Sequence, residues 1–506
     1  MTAEEPAAAP TRAAADASGH TADEKGEAVA PASAPLVIDL DGTLVCTNML
    51  IECALSLIKQ SPLAAFQMLA WLSKGRANLK QELARRVPLD TAALPINAHV
   101  KAYGAGEKSR GRQVYLATAA DRSIAQPIAD HCGFFDGILA SDGRVNLKGE
   151  HKAEALGRLF PSGFAYAGDS RADIPIWARA SEIILVGASR WTRRAVQQLG
   201  KPTYSFPTPS RLGALIACAR PHQWAKNSLV FVPAILSGAI NAPHVLLATA
   251  LSFAALCLVA SSTYIINDLW DVADDRKHWS KRHRPIASGA LPMSAALIAS
   301  PIGLAAGLLL AMTAAPAALG VLLVYLALTL AYSFAVKRVP VLDVTTLAGL
   351  FTLRLVLGIV SADVFASPWL LVFSMFLFSS LCFAKRYVEI QGTTSRGQAA
   401  IASRGYRAED APLLFSLGLG AGISSIAIMV LYIMFDAFQR TFYGNTAWLW
   451  VFPLTLFLWI SRIWLLAGRG QLHDDPVAFA VGDAVSLLLG CAMFAAFLLA
   501  WSGVFA

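Results

Sequence analysis

From about residue 225 to its end, this chain is a succession of long apolar runs separated by short polar connections. An α-helix needs about 20 apolar residues to cross a bilayer. Only helices and closed barrels satisfy their own backbone there. This half of the chain is therefore expected to be an all-α polytopic membrane domain. About nine spans are expected, near residues 227–242, 244–266, 292–312, 316–335, 342–361, 368–384, 411–434, 447–467 and 480–503. The first is short and interrupted by Pro233. Of the 506 residues 56% are hydrophobic and 15% charged, far less charge than a soluble protein of this size carries.

The connections alternate in charge. Those after even-numbered spans are basic: residues 276–284, Lys337 with Arg338, and a long loop holding Lys385, Arg386, Arg396, Arg404 and Arg407. Arg211, Arg220 and Lys226 precede the first span, whereas residues 241–244, the turn at Pro316 and residues 361–368 carry few or no basic groups. Basic loops stay in the cytoplasm. This pattern predicts a plasma (inner) membrane protein with its N-terminal domain and active sites cytoplasmic and its C-terminus outside. The net charge of +8 then belongs to these loops, and no nucleic-acid partner is implied. Seven cysteines, at 46, 53, 132, 218, 257, 382 and 491, are scattered without a CxxC pair and suggest neither a disulfide framework nor a zinc site.

Directly behind the second run stands Asn267-Asp268-x-x-Asp271-x-x-x-Asp275, followed by Lys281-Arg282-x-Arg284. On a helix Asn267, Asp271 and Asp275 share one face. Carboxylates this close repel unless a divalent cation sits among them, and Mg²⁺, which keeps positions for water and phosphate, is the natural occupant. Lys281, Arg282 and Arg284 suit phosphate oxygens. Arg354 lies in mid-span, where a charge needs a partner or a polar cavity. Residues 473–476 with Asp483 read either as a second acidic site or as a hydrophilic turn.

Residues 35 to about 205 have globular composition. A short apolar strand, residues 36–38, runs into Asp39-Leu-Asp41-Gly42-Thr43; a second, residues 114–118, ends at Thr118. Lys152 opens a helical stretch, and a third strand runs into Asp169, with Asp173 beyond it. Strands alternating with helices predict an α/β doubly wound parallel sheet, with ligands at the carboxyl ends of its strands. The expected domains are a disordered tail at 1–34, this α/β domain at 35–205 with a small helical cap at about 47–100, a linker at 206–226 and the membrane domain at 227–506.

Together the carboxylate motif, the basic cluster, Arg284-Pro285-x-x-x-Gly289 and Tyr332-Ser-x-x-x-Lys337 resemble the UbiA-type intramembrane prenyltransferase superfamily over about residues 215–505. Gln223-Trp-x-Lys226-Asn227, Lys337-x-x-Pro340-x-x-Asp343, Arg354 and Lys385-Arg386-Tyr387-x-Glu389 are most similar to its decaprenyl-phosphate phosphoribosyltransferase branch. The resemblance implies about nine helices around a cavity open to lipid. It further implies Mg²⁺ held by Asp268, Asp271 and Asp275, and substrate groups at Lys226, Asn267, Lys281, Arg282, Arg284, Tyr332, Lys337, Arg354, Lys385, Arg386 and Glu389. The substrates implied are phosphoribosyl diphosphate and polyprenyl phosphate, with membrane lipid around them and room for a homo-oligomer. Ordinary members carry a second Asp-x-x-x-Asp where this chain has Lys385-Arg386-x-x-Glu389, a departure that disfavours an allylic diphosphate. Residues 35–190 resemble the haloacid dehalogenase (HAD) phosphatases. That resemblance implies Asp39 as nucleophile, Asp41 as acid and base, Thr118 and Lys152 (or Lys148) on the phosphate, and Asp39, Asp169 and Asp173 on Mg²⁺. The expected sum is a bifunctional phosphoribosyl transferase and phosphatase for an envelope glycan precursor. A conventional prenyltransferase and a transporter with a regulatory phosphatase are the alternatives.

Overall fold

The computed structural model of the chain describes residues 34–142, 146–207, 210–394, 405–438, 442–472 and 476–502. The expected tail lies outside them but for its last residue. Two compact units form: residues up to Ala219 join Ile265–Ala299, and Arg220–Tyr264 join the chain from Ser300 onward. The carboxylate loop thus belongs with the α/β residues by contact, although its sequence places it between apolar runs.

The first unit is built on a six-stranded sheet of order β3-β2-β1-β4-β5-β6, parallel throughout. The strands are β1 (Leu36–Asp39), β2 (Val114–Asp121), β3 (Gly137–Ser141), β4 (Ala165–Gly168), β5 (Glu182–Val186) and β6 (Thr203–Phe206). Leu36, Val37 and Ile38 are all fully buried, because a central parallel strand is covered on both faces and must be apolar throughout. Chain order reverses on either side of β1, the switch point at which such sheets open a crevice. Asp39 ends β1 and Asp169 directly follows β4, its parallel neighbour, so both reach that crevice.

Three helices enter between β1 and β2: α1 (Met49–Gln60), α2 (Ala64–Ser73) and α3 (Arg76–Arg86). The Asn48 side chain caps α1, accepting from the Ile51 N–H at 3.2 Å. On α1, Ile51 and Leu55 lie against an apolar cluster of Ile265, Leu269, Val272, Ile286, Leu291 and Met293. One turn along, the Arg276 guanidinium donates to both Glu52 oxygens, at 2.6 and 3.2 Å, and its Nε donates to the Ala287 carbonyl at 3.1 Å. The Thr47 hydroxyl donates to the same carboxylate at 2.7 Å. Both charged side chains are about nineteen-twentieths buried, so each depends on the other for solvation. Gly289 adopts φ +78°, and a Cβ there would stand 2.3 Å from Cys46 Cβ.

Eight helices among the described residues are long and apolar enough to cross a membrane: Pro243–Trp270, Met293–Ala314, Pro316–Phe334, Leu342–Ala362, Pro368–Gly392, Ala408–Ala437, Thr446–Gly468 and Ala484–Ser502. The span expected at 227–242 is not one helix. It is a 3₁₀ stretch, Pro221–Phe231, then a short α-helix, Val232–Leu236, and a 3₁₀ turn, Ala239–Asn241. Pro233 removes an amide donor and Gly238 turns at φ +75°, which together prevent a continuous helix. Val230 and Ala234 are nevertheless fully buried. A Cβ on Gly358 would meet the Val230 carbonyl at 2.1 Å, so the absent side chain lets this irregular backbone lie against a long helix. Non-helical backbone is tolerated at membrane depth when protein encloses it in this way.

Three arginines inside these long apolar helices, Arg354, Arg386 and Arg462, are all met by protein partners. Arg354 donates from Nε to Asn227 Oδ1 at 2.9 Å, from Nη1 to the Leu350 carbonyl at 2.6 Å and from Nη2 to the Tyr325 hydroxyl at 3.3 Å. Arg386, 1% exposed, donates to Asp343 at 2.6 Å, Glu389 at 2.7 Å and the Tyr332 hydroxyl at 3.1 Å, while Tyr406 donates to the second Asp343 oxygen at 2.5 Å. Asp483 takes a two-pronged bond from Arg462 at 2.6 and 3.0 Å; residues 473–475, named with it as an acidic site or a turn, lie outside the described residues.

Removing one member of such a buried pair leaves an uncompensated charge and costs about 3–5 kcal/mol. Glu52→Ala and Asp343→Ala are therefore each expected to lower the unfolding temperature of the detergent-solubilised protein sharply. Thr47→Ala, which leaves the Glu52–Arg276 pair in place, should cost only about 1 kcal/mol. Equal shifts in all three would show that the pairs do not govern the packing.

Candidate active site

At the crevice of the sheet, Lys152 projects from the helix Glu150–Leu159 and donates from Nζ to Asp39 Oδ1 at 2.8 Å, to the Tyr166 hydroxyl at 3.0 Å and to the Ala117 carbonyl at 3.2 Å. The lysine alternatives at 148 and 152 thus separate: Lys152 makes the contact. Tyr166 in turn donates to Asp173 Oδ1 at 3.1 Å, and the Ser170 amide and hydroxyl both donate to Asp173 Oδ2 at 3.1 Å. Asp39, Asp169 and Asp173 bring one oxygen each within 4.8 Å of one another. Gly42, at φ +76°, makes this possible, because a Cβ there would fall 2.5 Å from Asp169 Oδ2.

Two of these carboxylates, Asp39 and Asp169, resist ionisation. Burial raises Asp39 to about 7 against the pull of Lys152, with Asp173 pushing the same way as burial. Burial and then Asp173 and Asp39 raise Asp169 to about 8. Clustered hard oxygen donors that cannot share one crevice as free anions suit a small divalent cation such as Mg²⁺. The residues present fit the ion.

Asp41 points to the other side of the crevice mouth. Its Oδ1 accepts from the Met49 amide at 2.8 Å, which anchors the first residue of α1 to it. Burial raises its pKa, while that amide and Lys80 hold it back. Lys80, on α3, donates to the Ala119 carbonyl at 2.7 Å and to Asn146 Oδ1 at 3.1 Å. Together with Met49, Leu50, Cys53, Leu83 and Ile124 these groups line a cavity beside Asp41. Thr118 is fully buried inside β2 rather than at its end, and its hydroxyl accepts from the Ala120 amide at 3.0 Å. Lys80 and Tyr166 were missed by sequence reasoning. Lys80 sits in a helical stretch rich in polar residues, and Tyr166 lies in the apolar strand itself, so neither stood out by spacing.

The acidic loop is arranged differently. Helix Pro243–Trp270 ends just before Asp271, and a short helix, Val272–Lys277, carries Asp275. Asp268 and Asp275 are almost fully buried, and Arg284 Nη1 bridges them at 3.1 and 2.7 Å. Burial raises the Asp275 pKa while Arg284 opposes it. Asn267, Asp271, Lys281 and Arg284 are half-buried, and Arg282 is exposed. Among the described residues, Asp268, Asp271 and Asp275 do not gather three ligand oxygens as Asp39, Asp169 and Asp173 do. Arg284 already balances the buried pair, so this arrangement does not fit one ion held by all three carboxylates.

The other expected substrate groups, Lys226, Tyr332, Lys337, Arg354, Lys385, Arg386 and Glu389, lie in the second unit. Arg386, Glu389 and Tyr332 meet in the network around Asp343. Lys226 Nζ stands 5.9 Å from the Phe351 ring centroid and the Arg354 guanidinium 4.9 Å from it, so the two cations share one aromatic face region. Lys337 sits in a turn, Val336–Arg338, and Lys385 is half-buried on the helix Pro368–Thr394.

Comparison with known proteins places these arrangements. Residues 229–481 match the UbiA prenyltransferase family, and residues 36–177 match the haloacid dehalogenase-like hydrolases. The uncharacterised protein y4nM of Sinorhizobium fredii is 42% identical over 472 residues, covering 92% of this chain and 91% of its own. The nodulation protein NoeC of Azorhizobium caulinodans is 33% identical over 290 residues, 56% of this chain and 92% of its own. A decaprenyl-phosphate phosphoribosyltransferase of Corynebacterium glutamicum is 37% identical over 188 residues, 36% of this chain and 57% of its own. The chain belongs to the UbiA prenyltransferase family of integral membrane enzymes and carries a HAD-like hydrolase domain ahead of it.

Proposed function

We propose that the chain carries out two consecutive reactions: 5-phosphoribose is transferred from phosphoribosyl diphosphate to a polyprenyl phosphate of the decaprenyl type, and the 5-phosphate is then removed. The observation that carries this reading is the intact phosphatase crevice, with Lys152 on Asp39 and Asp41 anchored at α1, in a chain whose other half is related to phosphoribosyltransferases. Fusion keeps the second site at high effective concentration for a product confined to the membrane.

In the transfer, an oxygen of the polyprenyl phosphate attacks the anomeric carbon, the bond from that carbon to the diphosphate oxygen breaks, and inorganic diphosphate departs with the electron pair. The nucleophile is already ionised at neutral pH, so alignment and charge stabilisation replace a strong base. Lys281, Arg282 and Arg284 are assigned to the diphosphate, with Asn267 orienting its end and Asp271 facing the Mg²⁺ that the diphosphate itself would carry. Lys226 and Lys385 are assigned to the lipid phosphate and Lys337 to the same basic mouth. Arg354 and Arg386, whose donors are engaged by Asn227, Asp343 and Glu389, are assigned as positioning residues. The basic connections support a plasma-membrane setting with both sites cytoplasmic. An outside C-terminus then requires the buried segment at 221–241 to count as a crossing.

In the hydrolysis, the Asp39 carboxylate attacks phosphorus and Asp41 gives its proton to the departing sugar oxygen. Asp41 then takes a proton from water, which displaces phosphate from Asp39. Lys152 and Thr118 hold the phosphoryl group. Bound by Asp39, Asp169 and Asp173, Mg²⁺ supplies charge neutralisation for the incoming phosphate.

Membranes given ribose-labelled phosphoribosyl diphosphate, polyprenyl phosphate and Mg²⁺ are expected to yield a labelled lipid without its 5-phosphate. Asp39→Asn should leave the label in the lipid with the phosphate retained, and Asp271→Ala should lower lipid label by at least about 100-fold. Label entering lipid only from a prenyl diphosphate would establish the conventional reaction instead.

A second expectation follows from the raised carboxylates. Asp39 and Asp169 ionise in the folded state near 7 and 8, against 3.8 ordinarily, so the stability they contribute without a cation is lost as pH rises through those values. Mg²⁺ relieves that loss. The rise in unfolding temperature on adding Mg²⁺ is expected to be small at about pH 5 and to grow towards about pH 8, and to vanish in Asp169→Asn. A rise that is flat with pH would refute ion binding at these carboxylates.

A further inference from the structure

On α2, the inward residues are Ala64, Met68 and Trp71, which lie against the core of the α/β unit. The outward ones are equally apolar. Leu63 is 71% exposed, Phe66 71%, Leu69 65% and Leu72 44%. Within the helix only Gln67 and Ser73 are polar. A helix greasy on all sides belongs in a core or in lipid, not in water.

Its flanks have one sign of charge. Between Glu52 and Glu82 there is no acidic residue, whereas Lys59, Lys74, Arg76 and Lys80 fall in that interval. Lys80 is turned to the crevice and Lys59 is paired with Asp274, leaving Lys74 and Arg76 beside α2. A positive rim about an apolar face is complementary to anionic headgroups over acyl chains.

Position supports the same occupant. Lys59 Nζ bonds Asp274 Oδ2 at 2.8 Å. Asp274 comes four residues after Trp270, the last residue of a helix long and apolar enough to span the membrane. Four residues correspond to roughly 6 Å of helix rise. Helix α2 starts five residues after Lys59, a reach of at most about 17 Å. The exposed face therefore lies within chain reach of the end of that helix.

We propose that α2 lies in the interfacial layer of the bilayer its own chain spans, with Leu63, Phe66, Leu69 and Leu72 in the acyl boundary and Lys74 and Arg76 at anionic headgroups. Helices α1 and α3, on either side of it, line the cavity beside Asp41. The lipid contact accordingly holds the mouth of the hydrolase crevice at the membrane surface. This assignment stands whether or not the two-reaction scheme does.

The test uses the full chain in phospholipid nanodiscs, with a benzophenone-bearing phenylalanine in place of Phe66 or, separately, Leu69. Irradiation is expected to give phospholipid adducts as the main product. Their yield should rise about threefold or more when phosphatidylglycerol replaces part of the phosphatidylcholine, and Lys74→Glu with Arg76→Glu should abolish that rise. Hydrolysis of a small soluble aryl phosphate should stay unchanged in these variants, showing an intact α/β unit. Adducts to another segment of this chain, adducts to a second copy, or no adduct at all would each overturn the proposal.

Discussion

The ion pair between Glu52 and Arg276 is the contact on which the arrangement of the first unit turns. Neither charge has water, so each exists in its buried form only because the other is there. Glu52 sits on the helix whose first amide holds Asp41, and Arg276 directly follows Asp275 in the acidic loop. One helix thus touches Asp41 at its start and the acidic loop one turn later. The apolar contacts of Ile51 and Leu55 extend the same joint. Within the first unit, residues 265–299 are thus packed against the α/β residues.

A common rule explains the charged groups throughout the molecule. Away from water, an ionised side chain is stable only with its full complement of partners. Lys152 has three, Arg386 has two carboxylates and a hydroxyl, and Arg354 has an amide oxygen, a carbonyl, a hydroxyl and two aromatic rings. The exception is the crevice at Asp39, where three carboxylates outnumber one lysine. The deficit of positive charge there is what a divalent cation would make good.

Much of the architecture was legible because it is written in periodicity and in short motifs. Continuous apolar strands ending in Asp39 and Asp169 announced a parallel sheet and its crevice, and the long apolar runs announced membrane helices. The short segment at 227–242 was harder: Pro233 warned of it, but only the fit of Gly358 against Val230 shows why a broken helix is stable there. Contacts far apart in sequence stayed hidden. Nothing in the spacing of Asp268, Asp271 and Asp275 reveals that Arg284 bridges two of them, or that Asp343, Tyr332 and Glu389 surround Arg386. Such partners are chosen by tertiary packing, which a single sequence does not encode locally.

The cluster joining Ile51 and Leu55 to Ile265, Leu269 and Ile286 has a consequence for biogenesis. A ribosome releases the sheet and its inserted helices long before it releases the loop that covers α1. Until then the nascent unit keeps a bare apolar stripe and an unpaired Glu52. Its maturation must wait for the insertion machinery to seat the helix Pro243–Trp270, so the first half of this chain to be made is not the first to be finished.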